Sequence, residues 1–377
     1  KLTALLDSLS RQTIPVPVVI FDNGSESPEV LRHIAGKAIV ERFPRNLGFA
    51  SATNRACLSL DSPYLLILND DVVLAENAVE EMKRVLLQHP DSVAVAPKTY
   101  LHHFPGYLDN VGIVINEDFS AYNRGIGEPD LGQYDRVEKI FGVCFACTLL
   151  RREIFIHTGM LPEIFFAYYE DVDWVFRAQM FGFSFYSAPS AQVIHHHSWF
   201  WRKYPMRKYV LVQKNLLRCA IYNLRPRSLL RVLIRKYREH IRRCLLEKEY
   251  RIPTILLLIS HWWEIPSLLP ERARRQKKRV VPDHPLFRYA YGTRPHFHPT
   301  EYRPLFTVDN LRQTYQKLSE LTLKEHHLYL ASALEALSRR SPVLPLSTLK
   351  EILTNLLSDQ PPIVLDFLQH LEPEKEV

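Results

Sequence analysis

The stretch LLILNDDVV places amide and acidic side chains directly after an apolar run. Asn69, Asp70 and Asp71 follow four aliphatic residues, and the chain then becomes apolar again. Such a run is typical of a buried strand, and isolated buried charge is costly, so these groups must be solvated, paired or bound to a cation. Oxygen ligands two residues apart suit Mg²⁺ or Mn²⁺ together with a diphosphate. Asn and Asp also favour turns, so the local sequence leaves both interpretations open.

A second acidic cluster lies in YYEDVDWVFRAQMFG, where Glu170, Asp171 and Asp173 occupy the start of a predicted helix. Their simplest role is to cap the helix and offset its dipole, and Asp173 is spaced to pair with Arg177. Aromatic neighbours such as Trp174 are also common in sugar-binding clefts. A carboxylate in such a cleft could accept a proton from an attacking hydroxyl as a general base.

Two further groups are candidates for binding. Asp22 lies in the turn-like DNGS after an apolar run, and the triplet His195 to His197 follows a predicted extended segment. Histidine is a ready ligand for transition metals, although a histidine triplet is often only a surface feature. A mixed carboxylate and imidazole site would suit Mn²⁺ as well as Mg²⁺.

The elements that must position these groups alternate between strands and helices over residues 1–200. Apolar runs at 16–21, 64–68 and 92–100 predict strands, with amphipathic helical patterns between them. This alternation predicts an α/β domain with a largely parallel sheet, whose ligands bind at the carboxyl ends of the strands. DNGS and NDD both lie at such ends. The Gly- and Pro-punctuated segment 102–140 predicts a long loop with one hairpin.

The formal charge of +7 is concentrated in residues 202–279. A local basic region indicates an anionic partner such as a phospholipid, a phosphorylated lipid or nucleic acid, or simply a solvated face. The segment 251–270 is apolar with paired tryptophans and is followed by ERARRQKKR. This combination predicts an interfacial membrane anchor, with a buried helix pair as the alternative. Pro253, Glu264 and Pro266 interrupt the segment, which argues against a membrane-spanning helix.

The cysteines and the two ends of the sequence add three expectations. Five cysteines, an odd number, argue against a disulfide scaffold, and Cys144 and Cys147 are expected to be buried thiols because further zinc ligands are lacking nearby. The sequence shows no initiator Met and no signal-peptide pattern, and it begins at Lys1 in an amphipathic pattern already under way, so we expect the first strand of the domain to lie upstream. Residues 281–300 predict a linker, and the residues beyond Pro304 predict a small helical appendage.

Six segments, in this order along the chain, resemble the inverting glycosyltransferase family 2, especially its rhamnosyltransferase-like members. They are VVIFDNGS, RNLGFASATN, LLILNDDVV, CFACTLLRREIF, LPEIFFAYYEDVDWVFRAQMFGFSFYSAPSAQVIHHHS and QKNLLR. The resemblance implies a GT-A fold, a Rossmann-like mostly parallel sheet flanked by helices, over residues 1–225. A basic and aromatic helical region that associates with membranes would follow at 226–280, and the linker and appendage would occupy 281–377.

The resemblance also implies roles for individual residues. The catalytic base would be Asp171, and the metal ligands would be Asn69, Asp71 and His195. Asn69 replaces the first Asp of the family's D-x-D motif, which leaves one negative charge fewer on the metal. Nucleotide or substrate binding would fall to Asp22, Asn23, Ser25, Arg45, Asn46, Gly48, Asp70, Glu170, Asp173 and Trp174.

The implied reaction is transfer of rhamnose or a similar hexose from a dTDP- or UDP-linked donor to a glycan or polyprenyl-linked acceptor, assisted by Mg²⁺ or Mn²⁺. The enzyme would be cytoplasmic and peripheral at the inner face of the cell membrane, bound through residues 202–280. The alternative is a non-catalytic glycan- or membrane-binding module that keeps the fold. A nucleic-acid binder is disfavoured, because the basic region lacks a zinc-finger, RRM or KH signature. The expected loss of the first strand predicts weak nucleotide binding.

Overall fold

A computed structural model describes residues 1–25, 38–102, 106–116, 118–126, 128, 130, 132–196 and 205–283. Three sequence-based predictions lie outside these residues. They concern the helical pattern near 28–36, which lies between the predicted strands at 16–21 and 64–68, the residue His197, and all but the first three residues of the predicted linker and appendage at 281–377.

The first half of the described chain alternates short strands with helices. In chain order these are α1 Leu2–Ser10, β1 Val19–Asp22, β2 Ile39–Arg42, α2 Phe49–Ser59, β3 Tyr64–Leu68, β4 Val72–Leu74, α3 Ala78–Gln88, β5 Ser92–Leu101, β6 Leu108–Asn110, β7 Ile113–Ile115 and β8 Ala121–Asn123. The pair β7–β8 is antiparallel, which confirms the hairpin predicted within 102–140.

The second half begins with strands and ends with long helices. These are β9 Lys139–Ile140, β10 Cys147–Arg151, α4 Arg152–His157, α5 Glu170–Met180, β11 Ser184–His195, α6 Pro205–Asn223, α7 Pro226–Leu246 and α8 Arg251–Lys278. Single 3₁₀ turns occupy Glu163–Phe165 and Lys248–Tyr250. The predicted helical extension at the C-terminal side is therefore confirmed for the described residues.

The central sheet has seven strands in the order β3-β10-β5-β11-β4, with β6 added to β5 and β9 added to β11. The pairs β3–β10, β10–β5 and β11–β4 are antiparallel, and β5–β11 is the one parallel ladder of this sheet. A second parallel pair, β1–β2, forms a separate two-stranded sheet. The α/β class is confirmed, but the prediction of a mostly parallel sheet is wrong. An apolar run shows that a strand is buried and carries no information about its direction.

Helices cover both faces of the central sheet. Alternate side chains of each strand point to opposite faces, so Ala94 and Leu150 pack with α5 and α6, whereas their neighbours Val95 and Leu149 pack with α1 and α3. Trp174 on α5 is fully buried on the first face. This packing fixes α5, the helix that begins with the acidic cluster, directly on the sheet.

The region 226–280 packs against the domain that precedes it. Arg275 on α8 forms a buried ion pair with Asp173 on α5 at 2.7 Å, and Glu264 pairs with Arg218 on α6 at 2.6 Å. Among the described residues, one segment, Lys248–Lys278, is long and apolar enough to cross a membrane by length and composition. The polar contacts of α8 instead hold one side of this helix along the surface of the domain.

Candidate active site

A buried cluster of Asp71, Asp109 and His195 lies at the end of β11. The antiparallel register places His195 opposite Val72, next to the turn that contains Asp71. The His195 Nε2 atom lies 3.2 Å from Asp71 Oδ1, and its Nδ1 atom lies 2.8 Å from Asp109 Oδ2. Two carboxylates therefore hold the imidazole from both sides. The structure thus brings together two of the three predicted metal ligands.

The charge state of His195 follows from these contacts. Burial lowers the pKa of the imidazole, but hydrogen bonds and attraction to the carboxylates of Asp109 and Asp71 outweigh burial and raise the pKa to about 9. Without a cation, His195 is therefore protonated at neutral pH and bridges the two carboxylates. A bound cation would have to displace that proton, because a metal-ligating histidine is neutral.

The loop at 142–146 connects this cluster to the acidic cluster of α5. The backbone N–H of Asn69 donates to Ala146 O at 2.9 Å, and the backbone N–H of Phe145 donates to the Asp171 carboxylate. Gly142 allows the close approach, because a Cβ at this position would lie 2.1 Å from the Val175 side chain on α5. The turn after β3 and the first turn of α5 thus share one short loop as their support.

The first turn of α5 holds Glu170 and Asp171. The Val172 N–H donates to Asp171 Oδ1 at 2.8 Å. Burial raises the pKa of Asp171 to about 6, although hydrogen bonds from Val172 and Phe145 oppose the shift. Burial and the adjacent Asp171 raise the pKa of Glu170 well above its usual range. With a pKa of about 6, Asp171 is ionised at neutral pH and is the group that can accept a proton.

The loop that leads into α5 has an unusual backbone. Phe166, Tyr168 and Tyr169 have φ values of 61°, 67° and 69°, in the left-handed region that side chains other than glycine rarely adopt. Asn215 on α6 is fully buried, and its Nδ2 group donates to the carbonyls of Phe165, Ala167 and Tyr168 at 2.8, 2.9 and 2.8 Å. The strained loop is therefore held by one amide.

The support of this loop extends to α8. Arg218 Nη1 donates to Asn215 Oδ1 at 2.9 Å and to the Ile164 carbonyl at 2.7 Å. The same guanidinium pairs with Glu264 on α8 through two hydrogen bonds of 3.0 and 2.6 Å. A continuous polar path thus runs from α8 through α6 to the loop before Asp171.

The predicted nucleotide-binding residues cluster at the end of β1. Asp22 accepts from the Ser25 N–H at 3.0 Å and lies 3.2 Å from Arg42 Nε. Asn23 accepts from the Leu47 N–H at 2.8 Å and donates to Asn46 Oδ1 at 3.1 Å. These hydrogen bonds join two sequence stretches that the family resemblance had assigned to the same ligand.

Gly48 connects this cluster to the loop before α5. Its φ is 83°, and a Cβ at this position would lie 2.5 Å from the Phe166 ring. The Ala50 N–H also donates to the Phe166 carbonyl at 3.3 Å. The predicted nucleotide side and the predicted acceptor side of the cleft are therefore in direct backbone contact.

Other predicted site residues lie on the surface or in the core. Arg45 is exposed beside the Asn23 turn, and Asp70 is exposed at the turn between β3 and β4. The structure does not bring Asp173 and Trp174 to the cleft, because both are fully buried. Asp173 pairs with Arg275 and accepts from Asn223 at 2.7 Å, and Trp174 donates to Thr158 at 2.9 Å within an aromatic cluster.

The cysteines are free thiols, as expected from their number. Cys147 is buried, and burial is the main cause that raises the pKa of both the Cys144 and Cys147 thiols. The carboxylates of Asp171 and Asp109 both raise the pKa of Cys144 further. Cys144 therefore lies between the two acidic centres without being a nucleophile at neutral pH.

The donor set at His195 fits a hard divalent cation held partly by substrate. Asp71 offers carboxylate oxygen and His195 offers imidazole nitrogen, and Asp109 holds the other ring nitrogen as carboxylates do for metal-bound histidines. Among the described residues, no group of three His, Cys, Asp or Glu side chains is arranged to bind a metal ion. The remaining ligands would come from a diphosphate and water, as is usual for Mg²⁺. Asn69 contacts Ala146 through its backbone N–H.

Sequence reasoning missed two residues of this site. Asp109 lies in the segment predicted as a long loop, and its only signal was an Asp within a short apolar stretch, YLDNVGIV. Asn215 lies in QKNLLR, which contributed to the family resemblance without a role. An Asn at a position that amphipathic spacing assigns to the apolar face was the signal that could have identified it.

The chain is similar in sequence to known glycosyltransferases. Residues 1–159 match the family model described as Glycosyl transferase family 2. The N-acetylglucosaminyl-diphospho-decaprenol L-rhamnosyltransferase of Mycobacterium tuberculosis is 25% identical over 225 residues, covering 52% of this chain and 71% of that protein.

Solved structures give weaker likenesses. S. aureus TarS in complex with UDP has a TM-score of 0.47 at 14% identity, covering 81% of this chain and 90% of that chain. GalNAc-T7 with UDP, GalNAc and Mn²⁺ has a TM-score of 0.46 at 13% identity, covering 58% of this chain. This chain spans 44% of the GalNAc-T7 chain.

Proposed function

We propose that this chain, whose residues 1–159 match the model of glycosyltransferase family 2, moves a sugar from a nucleoside-diphosphate sugar to an acceptor hydroxyl with inversion. The observation that carries the proposal is the shared loop at 142–146. The carbonyl of Ala146 accepts the N–H of Asn69, and the N–H of Phe145 donates to Asp171, so one short loop contacts both the turn proposed to bind the diphosphate and the proposed general base.

Asp171 is the proposed catalytic base. Its carboxylate is half-buried at a helix N-terminus, and its pKa of about 6 leaves it ionised at neutral pH yet basic enough to accept a proton. The acceptor hydroxyl transfers its proton to Asp171 as its oxygen attacks the anomeric carbon, and the bond from that carbon to the nucleoside diphosphate breaks. One displacement with one base inverts the anomeric configuration. Glu170, beside Asp171, is proposed to form a hydrogen bond with the acceptor.

The donor side is proposed to use Asp22, Asn23, Ser25, Arg45, Asn46 and Gly48 for the nucleotide. Asp71, His195 and the amide of Asn69 would hold Mg²⁺ or Mn²⁺, with Asp109 orienting His195. A cation bound by these residues would supply Lewis-acid neutralisation of the diphosphate charge. The exposed Asp70 lies at the same turn and is proposed to contact the substrate.

The proposed donor is a dTDP- or UDP-linked rhamnose or similar hexose, and the proposed acceptor is a glycan or a polyprenyl-linked glycan. The M. tuberculosis relative is named as an L-rhamnosyltransferase of N-acetylglucosaminyl-diphospho-decaprenol. This name supports rhamnose as the transferred sugar and a polyprenyl-linked glycan as the acceptor. Such an acceptor stays in the bilayer, so we place the enzyme at the cytoplasmic face of the membrane. We assign catalysis to residues 1–225 and membrane attachment to 226–280.

The test is a screen of sugar nucleotides against the full chain with Mg²⁺ or Mn²⁺, scored by release of nucleoside diphosphate and by mass of the glycosylated acceptor. D171N should lower kcat by about 10³-fold, within the range for a lost general base, while leaving nucleotide binding unchanged. Folding should be unaffected, because an amide avoids the cost of burying a charge.

The matched control is E163Q, which removes an exposed carboxylate from the turn seven residues upstream of Glu170. It should retain full turnover. Near-normal turnover in D171N would remove Asp171 from the mechanism. Absence of turnover with every sugar nucleotide, despite glycan binding, would support the non-catalytic module instead.

A further inference from the structure

The outer side of α7 carries an apolar row between arginines. Leu230, Ile234, Ile241 and Leu245 recur at intervals of four and seven residues, and each is about half exposed or more. The opposite side holds α7 on the domain through buried residues such as Lys236, which pairs with Asp118 at 2.7 Å. The apolar row therefore points away from the protein.

The outer side of α8 continues this apolar surface. The inner side is marked by buried Leu257, His261, Leu268 and Arg275, at helical spacing. The outer side presents Ile252, Ile255, Leu256, Ile259, Trp262, Trp263 and Leu269, and Trp263 is 83% exposed. Exposed aromatic and aliphatic side chains in such number mark an interaction surface. We call the outer sides of α7 and α8 together the α7–α8 face.

The charges around this face are almost all positive. Helix α7 contains seven Lys and Arg residues and one acidic residue, Glu239, which pairs with Lys236. Arg238 and Arg242 line a shallow groove of about 360 Å³ together with Ile241, Leu245 and Leu246. Apolar side chains bordered by arginines are complementary to acyl chains bordered by anionic headgroups.

The orientation of α8 follows from its inner side. Arg275 is buried against Asp173 at 2.7 Å, and Glu264 pairs with both Arg218 and Lys214 on α6. A helix that crossed the bilayer would have to break these pairs or carry them into the hydrocarbon, and both changes are costly. The helix therefore suits a position in the plane of the interface, with only its outer side in lipid.

We propose that the α7–α8 face docks this chain on an anionic lipid bilayer, with both helices lying in the plane of the interface. The proposal deepens the membrane attachment given under the proposed function and rests on it. The other candidate occupant is the chain segment 284–377, but its ten basic and eleven acidic residues give it no charge complementarity to an arginine-rich face.

The test measures binding of the full chain to vesicles of phosphatidylcholine alone and of phosphatidylcholine with one quarter phosphatidylglycerol, by co-sedimentation and tryptophan fluorescence. We expect at least about tenfold tighter binding to the anionic vesicles, weakened by added salt. Brominated lipids should quench the emission, and W263F should reduce this quenching, because Trp263 is the most exposed of the described tryptophans.

Two variants and a matched control assign the binding to this face. R238E/R242E and L245D should each weaken vesicle binding at least about tenfold. The control K83E/L87D makes the same kinds of change on α3, where Lys83 is exposed and Leu87 is 50% exposed, and should bind as the unmodified chain does.

Four results would overturn the proposal. The first three are absence of binding to anionic vesicles, equal binding by R238E/R242E and the unmodified chain, and resistance of the bound chain to alkaline extraction, which indicates a spanning helix. The fourth is shielding of Trp263 from acrylamide without lipid, which would assign the face to segment 284–377. Nucleotide affinity measured in lipid-free buffer reports on the proposed transferase separately, so failure of one proposal is distinguishable from failure of the other.

Discussion

The loop before Asp171, on the proposed base side, is held by more deeply buried hydrogen bonds than the turn at 22–25, on the proposed nucleotide side. The loop before Asp171 has three residues with positive φ, yet Asn215 alone binds three of its carbonyls and is itself fully buried. The turn at 22–25 is joined to 46–48 by hydrogen bonds of Asn23 that are exposed or half-buried. Its strands β1 and β2 form a separate sheet, and three of the four β2 residues are exposed.

This difference matches the chemical demands on each side. A general base must be held to within a fraction of an ångström of the proton that it accepts, and strained backbone persists only where its surroundings determine it. A nucleotide offers many contacts and tolerates a softer site. We therefore expect changes on the base side to affect folding and kcat, and changes on the nucleotide side to affect KM.

The largest expected effect follows from N215A. Three loop carbonyls, one in a buried and two in partly buried hydrogen bonds, would lose this donor, which we expect to lower the free energy of unfolding by about 3 kcal/mol and to lower kcat more than it raises KM. Urea denaturation and steady-state kinetics measure the two effects. The control is Q213A on the same helix, because the side-chain oxygen of Gln213 makes no hydrogen bond with any residue that the structure describes. If N215A lowered the free energy of unfolding by less than about 1 kcal/mol, the loop before Asp171 would not be held more firmly than the nucleotide side.

The next effect follows from D109N, which keeps the shape at His195 but removes the carboxylate that holds its Nδ1 atom. Loss of such a partner typically lowers metal affinity by about 10- to 100-fold. Titration with Mn²⁺ followed by electron paramagnetic resonance measures the affinity without turnover. Unchanged Mn²⁺ affinity, with a normally folded protein, would show that Asp109 has no part in orienting a ligand.

A third prediction concerns pH. Burial raises the pKa of Asp171 to about 6, and a base must be deprotonated to act. We expect kcat/KM to fall about tenfold per unit below that pH and to level off above it, in a pH–rate profile at saturating cation. The acid limb should be absent from the residual activity of D171N. A limb that persists unchanged there would belong to another group.

The smallest effect is expected for N23A on the nucleotide side. Its hydrogen bonds to Asn46 and Leu47 are only partly buried, so the loss of unfolding free energy should stay near 1 kcal/mol or below. The dissociation constant of the nucleoside diphosphate, measured by calorimetry, should rise several-fold with kcat nearly unchanged. If N23A lowered kcat as much as N215A does, the nucleotide side and the base side would be structurally coupled rather than independent.

The sequence predicted the order and type of most described elements, because each relies on local signals. The apolar run at 64–68 and the amphipathic pattern at 78–88 are each sufficient for a strand or helix. Strand direction was predicted wrongly, since β10 and β4 enter the sheet antiparallel. Direction depends on which distant segments pair, and periodicity does not encode that choice.

The sequence predicted those site residues that lie within recognisable motifs, and it did not predict roles that depend on distant partners. The family resemblance assigned Asp71 and His195 to the metal, and the structure brings these two side chains together. The same resemblance assigned Asp173 to substrate binding, but its partner Arg275 lies more than a hundred residues away, and that buried pair gives it a structural role. Asn215 was overlooked, because its value depends on a backbone conformation that appears only in three dimensions.

The parallel ladder of β5 and β11 has a consequence for the order of folding. It pairs Ser92–Leu101 with Ser184–His195, so it can form only after β11 has been synthesised, and contacts so distant in sequence are slow to form. His195, at the end of that strand, reaches Asp71 and Asp109 at the same moment. A nascent chain that ends before β11 therefore exposes the edge of β5. The contacts of His195 with Asp71 and Asp109 form only when β11 pairs with that edge.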